Sequence, residues 1–231
     1  MSNILIKFAK LLPLLLLIIP CVFGWLGYTG HGFIFKALVA GSGILFLLFF
    51  YRKDLWKKKD VWCIVAAFIF SIVGDWFLAN RHGGFVKFIW GILFFFFAHM
   101  GYLGYSLLNG HIKWIFTAVI LVVYLTLFGL VFYPSIDEPV LITAVLAYMS
   151  VSCFSLGAAA GIKYDPLPKW IFFLGITMLL FSDTIIAFKE FSSFKELNFL
   201  ILPTYYLSQI SVMMALMINK LNLSLVCSET E

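Results

Sequence analysis

The chain has 231 residues, 63% of them hydrophobic and only 12% charged, with a formal net charge of +5. A soluble domain carries about 25% charged residues, and a small fold buries only part of its apolar surface, so a water-soluble protein is excluded. The apolar runs are continuous, as in LLPLLLLIIP (11–20) and GILFFFF (91–97), rather than alternating with period two. That excludes a transmembrane β-barrel and leaves an all-α polytopic bundle, in which each crossing satisfies its own backbone.

A bilayer core takes about 20 apolar residues per helix. On that ruler eight helices fall near 5–26, 31–51, 61–80, 86–108, 114–133, 139–161, 169–190 and 199–220. The first could be read as a signal peptide, since Lys7 and Lys10 precede an apolar run, but Cys21-Val22-Phe23 is a poor cleavage site. Arg52 to Asp60 is too charged for lipid, and Asn80-Arg81-His82-Gly83-Gly84 and Asn109-Gly110-His111 are polar turns. Pro134 to Pro139 and Tyr164 to Pro168 are loops punctuated by proline, and Ser192 to Glu196 separates the last two helices. No loop is long enough to be a domain, so residues 1–231 read as a single transmembrane domain with any function inside the bundle.

The basic residues give the orientation. Lys7, Lys10, Arg52, Lys53, Lys57, Lys58, Lys59, Lys113, Lys163, Lys169 and Lys220 fall on the N-terminal side; Lys36, Arg81, Lys87, Lys189 and Lys195 fall on or near the other. That split puts both termini in the cytoplasm, and a bacterial inner membrane is the expected location. The positive charge is thus a topology signal, and no nucleic-acid partner is expected. Cys21, Cys63, Cys153 and Cys227 are far apart and form no CxxC, which argues against a disulfide framework or a metal site.

Nearly all charges lie in loops or at helix ends. Lys36, Asp75 and Asp183 do not, and His99 joins them as a polar residue inside a span. An aspartate at a helix centre costs about 2.5–3.5 kcal/mol on insertion scales, so ionisable groups there are functional candidates by default. At about 1.5 Å per residue, Lys36, Asp75 and Asp183 each lie roughly 8–9 Å from the outer end of their helices. Tyr205, Tyr206 and Gln209 reach similar depths. His99 lies about 18 Å in, near or past the midplane, and fits less well. Singly, Lys36 reads as a snorkelling lysine and His99 as a bridge between helices. Two aspartates and a lysine at one depth read better as a site.

A weak repeat supports this grouping. Gly74 to Ala79 on the third helix echoes Ser182 to Ala187 on the seventh, an offset of 108 residues or four helices. It points to two parallel four-helix halves sharing a site at their interface.

Five segments resemble the YhhN-like lysoplasmalogenase family: Phe35-Lys36-Ala37-Leu38, Gly74-Asp75-Trp76-Phe77-Leu78, Phe97-Ala98-His99-Met100-Gly101-Tyr102, Leu180-Phe181-Ser182-Asp183-Thr184 and Tyr205-Tyr206-Leu207-Ser208-Gln209. Each is weak alone; their order and spacing across helices 2 to 8 are specific. One departure is Ala37, where the family pattern usually has proline. The resemblance implies hydrolysis of the alkenyl ether of a lysophospholipid to a fatty aldehyde and a glycerophospho-base, with no metal or organic cofactor. It implies Asp75 and Asp183 as catalytic residues, and Lys36, His99, Tyr102, Ser182, Tyr205, Tyr206 and Gln209 as substrate-binding ones.

The chemistry suits these residues. Protonating the β carbon of a vinyl ether gives an oxocarbenium ion that water captures. Two carboxyl groups can divide the work of acid and of electrostatic stabiliser, as in glycosidases. Apolar surroundings favour a protonated carboxyl and hydrogen bonds favour an ionised one. Gly74 and Trp76 therefore suggest Asp75 as the acid, and Ser182 and Thr184 suggest Asp183 as the stabiliser. Lys36 would hold a carboxylate ionised or meet the phosphate. The alternative reading is a proton-coupled or lipid transporter using the same buried charges; a scaffold without chemistry leaves them unexplained. GxSxG, HExxH and P-loop patterns are absent. The physiological head group and the oligomeric state are not legible.

Overall fold

The computed structural model describes residues 16–30, 33–52, 54, 56–192 and 194–229, with side chains as far as Asn222. Eight helices run through them: α1 (Ile18–Tyr28), α2 (Phe33–Tyr51), α3 (Lys59–Ala79), α4 (Phe85–Leu108), α5 (Trp114–Leu127), α6 (Pro139–Ala159), α7 (Pro166–Phe191) and α8 (Asn198–Glu229). Among the described residues there is no strand, and seven helices are long and apolar enough to cross a membrane: α2, α3, α4, α6, α7, α8, and α5 together with the turns that continue it to Ser135. The chain is therefore an all-α polytopic bundle. The start of the first predicted helix, with Lys7 and Lys10, lies outside the described residues, as do His31 and Lys53.

The helix ends differ from expectation where proline was read only as a loop signal. Pro139 opens α6, and Pro166 opens α7 with Pro168 in its first turn. The first turn is where a missing N–H costs nothing. Proline at position 134 acts the other way. The span expected as one α-helix over 114–133 is α-helical only to Leu127, then widens into a π-turn (Phe128–Phe132) and ends in a 3₁₀ turn (Tyr133–Ser135). Pro134 cannot donate to the carbonyl four residues back, so the regular ladder cannot continue through it.

Helix neighbours repeat under a shift of four. On one side α1 packs on α2, α2 on α3, α3 on α4, and α8 on α2; on the other α5 packs on α6, α6 on α7, α7 on α8, and α4 on α6. The tightest pairs, α3–α4 and α7–α8, meet through small residues. A Cβ on Gly101 would come within 2.6 Å of the Cys63 carbonyl, and one on Gly175 within 3.0 Å of the Ser208 carbonyl. Such residues let backbones approach where lipid offers no hydrophobic drive. At one end of the bundle the α4–α5 and α6–α7 loops are stitched backbone to backbone by the Gly110–Ile162 bridge and the Lys163 N–H to the Asn109 carbonyl (2.9 Å). At the other end Arg81 forms a two-pronged ion pair with Glu190 (2.8 and 2.7 Å) and ties the α3–α4 turn to α7.

Candidate active site

Asp75 stands one turn from the end of α3, behind Gly74. The Tyr205 hydroxyl, from α8, donates to Asp75 Oδ2 at 2.7 Å. Tyr205 follows Pro203, which lies inside α8 and cannot close the bond four residues back. The charge of Lys36 on α2 reaches Asp75, and so does that of Asp183. Lys36 and Tyr206 converge on Gly27 of α1, where a Cβ would meet the Tyr206 hydroxyl at 2.6 Å and Lys36 Cγ at 3.3 Å.

Asp183 lies on α7. His99 Nε2, from α4, pairs with its Oδ2 at 3.1 Å; the histidine side chain is fully buried and the aspartate 10% exposed. Tyr148 on α6 packs its ring edge-on against His99 at 5.3 Å, and its phenol faces Asp183. The depth count had set His99 apart, and the contact corrects it. Counting from helix ends assumes helices that stop in one plane. Phe191, the last residue of α7, packs on Phe88, about one turn inside the start of α4, so Asp183 sits deeper relative to α4 than its distance from its own helix end suggests.

Between the two aspartates runs a buried polar seam. The Tyr102 hydroxyl donates to Gln209 Oε1 at 3.3 Å. Ser71 faces the phenols of Tyr102 and Tyr205 without meeting hydrogen-bond geometry. The buried polar atoms Gln209 Nε2, Tyr206 Oη, Ser208 Oγ and His99 Nδ1 have no partner. Buried polar groups are normally hydrogen-bonded, so several orphans in one region mark a place built for a polar guest.

A largely apolar cleft, partly open to the outside, begins at Asp183. Of the predicted site residues, the structure therefore brings Lys36, Asp75, His99, Tyr102, Asp183, Tyr205, Tyr206 and Gln209 into one region. Ser182 belongs elsewhere in the packing. Its hydroxyl donates to the Ile201 carbonyl at 3.0 Å and holds α7 to α8. Thr184 likewise donates to the Leu180 carbonyl and pairs with Tyr124. The expectation that these two neighbours hydrogen-bond Asp183 is corrected: both flank it in sequence, but His99 is the partner.

A family model described as the YhhN family matches residues 31–216. The chain belongs to the YhhN family. That family includes lysoplasmalogenases and is associated with hydrolase activity. Comparisons with curated proteins and with solved structures found no match. The YhhN match runs from α2 into α8 and takes in every polar residue of the site, while α1, which brings Gly27 against Tyr206 and Lys36, lies before it. Sequence reasoning missed two residues of this YhhN site. Tyr148 was one tyrosine among many; it stands on α6, the helix α2 maps onto under the shift of four, but one turn past Ala144, the residue the 108-residue offset pairs with Lys36. Phe95 was lost in a run of four phenylalanines; it packs on Tyr205 at 6.1 Å and a Cβ on Gly74 would lie 2.9 Å from it.

Proposed function

We propose that this YhhN protein is a lysoplasmalogenase-type hydrolase, cleaving the vinyl ether of a lysophospholipid by acid catalysis between Asp75 and Asp183. The observation that carries this reading is the pair of intramembrane carboxyl groups. They border one buried polar seam, each has a hydrogen-bond partner from a different helix, and orphaned polar atoms lie near them.

Asp75 Oδ2 accepts from Tyr205, which leaves Oδ1 to carry a proton. That proton goes to the β carbon of the alkenyl chain, and the C=C electrons form the new C–H bond. The resulting oxocarbenium ion faces the carboxylate of Asp183, which His99 holds in place. Water adds to the cationic carbon and gives its proton back to Asp75. The hemiacetal then collapses to a fatty aldehyde and a glycerol hydroxyl. The sum is one water consumed, one ether bond broken and the acid regenerated. Lys36 and the unpartnered Tyr206 hydroxyl and Gln209 amide suit the phosphate and glycerol oxygens. The products would be a fatty aldehyde and glycerophosphoethanolamine or glycerophosphocholine. Both termini would be cytoplasmic, which fusions after Arg52 and at Ser228 would report.

The test is purified protein given a lysoplasmalogen, its ester analogue and its saturated alkyl-ether analogue. Aldehyde should appear from the first alone, with a solvent deuterium isotope effect above one. Turnover of the ester at a comparable rate would point to acyl hydrolysis instead. No turnover of any of the three would favour transport, which the two-half architecture also suits.

A further inference from the structure

We infer that the apolar pocket beside Asp183 seats the substrate's hydrocarbon chain, with Phe88, Phe132 and Phe191 as its end stop. The inference rests on the hydrolase reading for the identity of the chain, but the pocket's shape and chemistry stand by themselves. It is a cleft partly open to the outside rather than a sealed void, so a chain can slide into it without the bundle coming apart. Its walls come from α4, α5, α6 and α7, from the π-turn after α5 and from Leu78 of α3.

The polar groups on those walls are turned on one another. Tyr124 and Thr184 share a 2.8 Å hydrogen bond, and Ser152 donates to the Tyr148 carbonyl at 2.8 Å. Only the Asp183 end keeps a polar face. An apolar cavity of this kind is poor ground for water and good ground for an alkyl chain. From Asp183 to Phe191 the pocket follows α7 for two turns, about 12 Å. There the rings close it: Phe132 lies 5.8 Å from Phe191, and Phe88 lies 6.2 Å from Phe191. Arg81 backs this cap, stacked 5.1 Å over Phe88 while it grips Glu190.

Phe95 fixes how the chain meets the acid. It lines the pocket on one side and packs on Tyr205 and Gly74 on the other. It is the partition between the chain pocket and Asp75. A chain lodged in the pocket brings its ether end past Phe95 to the gap between the two carboxyl groups.

The probes are saturated 1-O-alkyl lysophospholipids of graded chain length, which carry no vinyl ether to cleave, followed by calorimetric binding in detergent. Alkenyl substrates of the same lengths are followed by aldehyde release. Ala187→Phe fills the pocket midway and Phe191→Ala opens its end. Filling should weaken the longest chains relative to short ones by at least about tenfold, the scale of one or two methylenes in an apolar pocket. Opening should move the optimum to longer chains. These shifts in binding support the chain pocket even if no aldehyde is ever released. Aldehyde release with one unchanged length profile in wild type and both variants would overturn it while leaving the hydrolase intact. Failure of wild type to bind any of the alkyl lipids would overturn it too. Should Ala187→Phe not fold, Phe191→Ala decides alone.

Discussion

Asp75 and Asp183 occupy equivalent stations in the two halves, yet they live in different surroundings. Under the shift of four, α3, α8 and α2, which supply Asp75, Tyr205 and Lys36, map onto α7, α4 and α6, which supply Asp183, His99 and Tyr148. Each carboxyl group of one half is thus held by the last helix of the other. The partners differ in kind. Both border the polar seam of Tyr102 and Gln209, but only Asp183 also opens on the apolar pocket, while Asp75 is held by Tyr205. A bundle whose helix packing repeats under a shift of four has put one carboxyl group beside groups suited to head-group oxygens and the other beside space suited to hydrocarbon. That difference is what a vinyl-ether lipid needs, since its reacting carbons sit at the junction of the two chemistries.

The comparison breaks most visibly if either aspartate is dispensable. Asp75→Asn and Asp183→Asn should each lower turnover by about 10²–10⁴, the worth of a placed acid or its electrostatic partner. The double variant should be little worse than the poorer single, because groups acting on one transition state are not additive. Detergent-purified yield should hold, asparagine being nearly isosteric. Near wild-type turnover in both singles would end the mechanism.

The partners come next. Tyr205→Phe removes the donor to Asp75 and keeps the ring against Phe95. Asp75 becomes a carboxylate as its proton leaves, and a hydrogen bond to a charged group contributes about 1.5–3 kcal/mol, so kcat should fall about ten- to a hundredfold with KM little changed. Loss confined to KM would make Tyr205 a head-group contact instead.

A contrasting effect is expected at the far end of the bundle. A Cβ on Gly161 would overlap the His111 carbonyl, and one on Gly110 would lie against Gly161. Gly161→Ala should therefore lower stability by about 1–3 kcal/mol through overpacking, read as a lower thermal midpoint in detergent. Turnover per folded molecule should stay the same. A fall in kcat instead would mean that the stitched loops and the carboxyl region move together.

Much of this was readable in the chain. Continuous apolar runs, proline and glycine breaks and intramembrane charges gave eight helices and the core of the candidate site. What escaped was what depends on the third dimension. His99 was misjudged because depth counted along a helix ignores where neighbouring helices end relative to one another. Ser182 looked like a ligand of its neighbour, but adjacent residues on a helix point about 100° apart, and its hydroxyl turned to α8. Tyr148 and Phe95 carry no signal in a chain with 10 tyrosines and 27 phenylalanines, because their relevance comes only from the helices that face them.

The smallest effect concerns the ion pairs that close the two ends. Arg81–Glu190 is half-buried and two-pronged, whereas Lys220–Asp54 joins α8 to the α2–α3 loop in a more exposed setting. The hydrogen bond and then the charge of Lys220, with help from Lys57 and Lys58, hold the Asp54 carboxyl below its ordinary value of 3.8. A carboxyl group whose pKa is lower folded than unfolded stabilises the fold above the unfolded value, and that contribution drains away as pH falls through the folded one. Lys220 also lies 5.4 Å over the Tyr51 ring, a contact with no titration in this range, so a lysine variant would mix two effects. Asp54→Asn isolates the ion pair. Its thermal midpoint should sit slightly below wild type at pH 7, the gap should narrow as pH falls below 3.8, and added salt should shrink it at neutral pH. Arg81→Ala should cost more at pH 7, since its pair is less exposed and bidentate. A gap for Asp54→Asn that persisted unchanged as pH fell below 3.8 would show that its side chain acts through packing rather than charge.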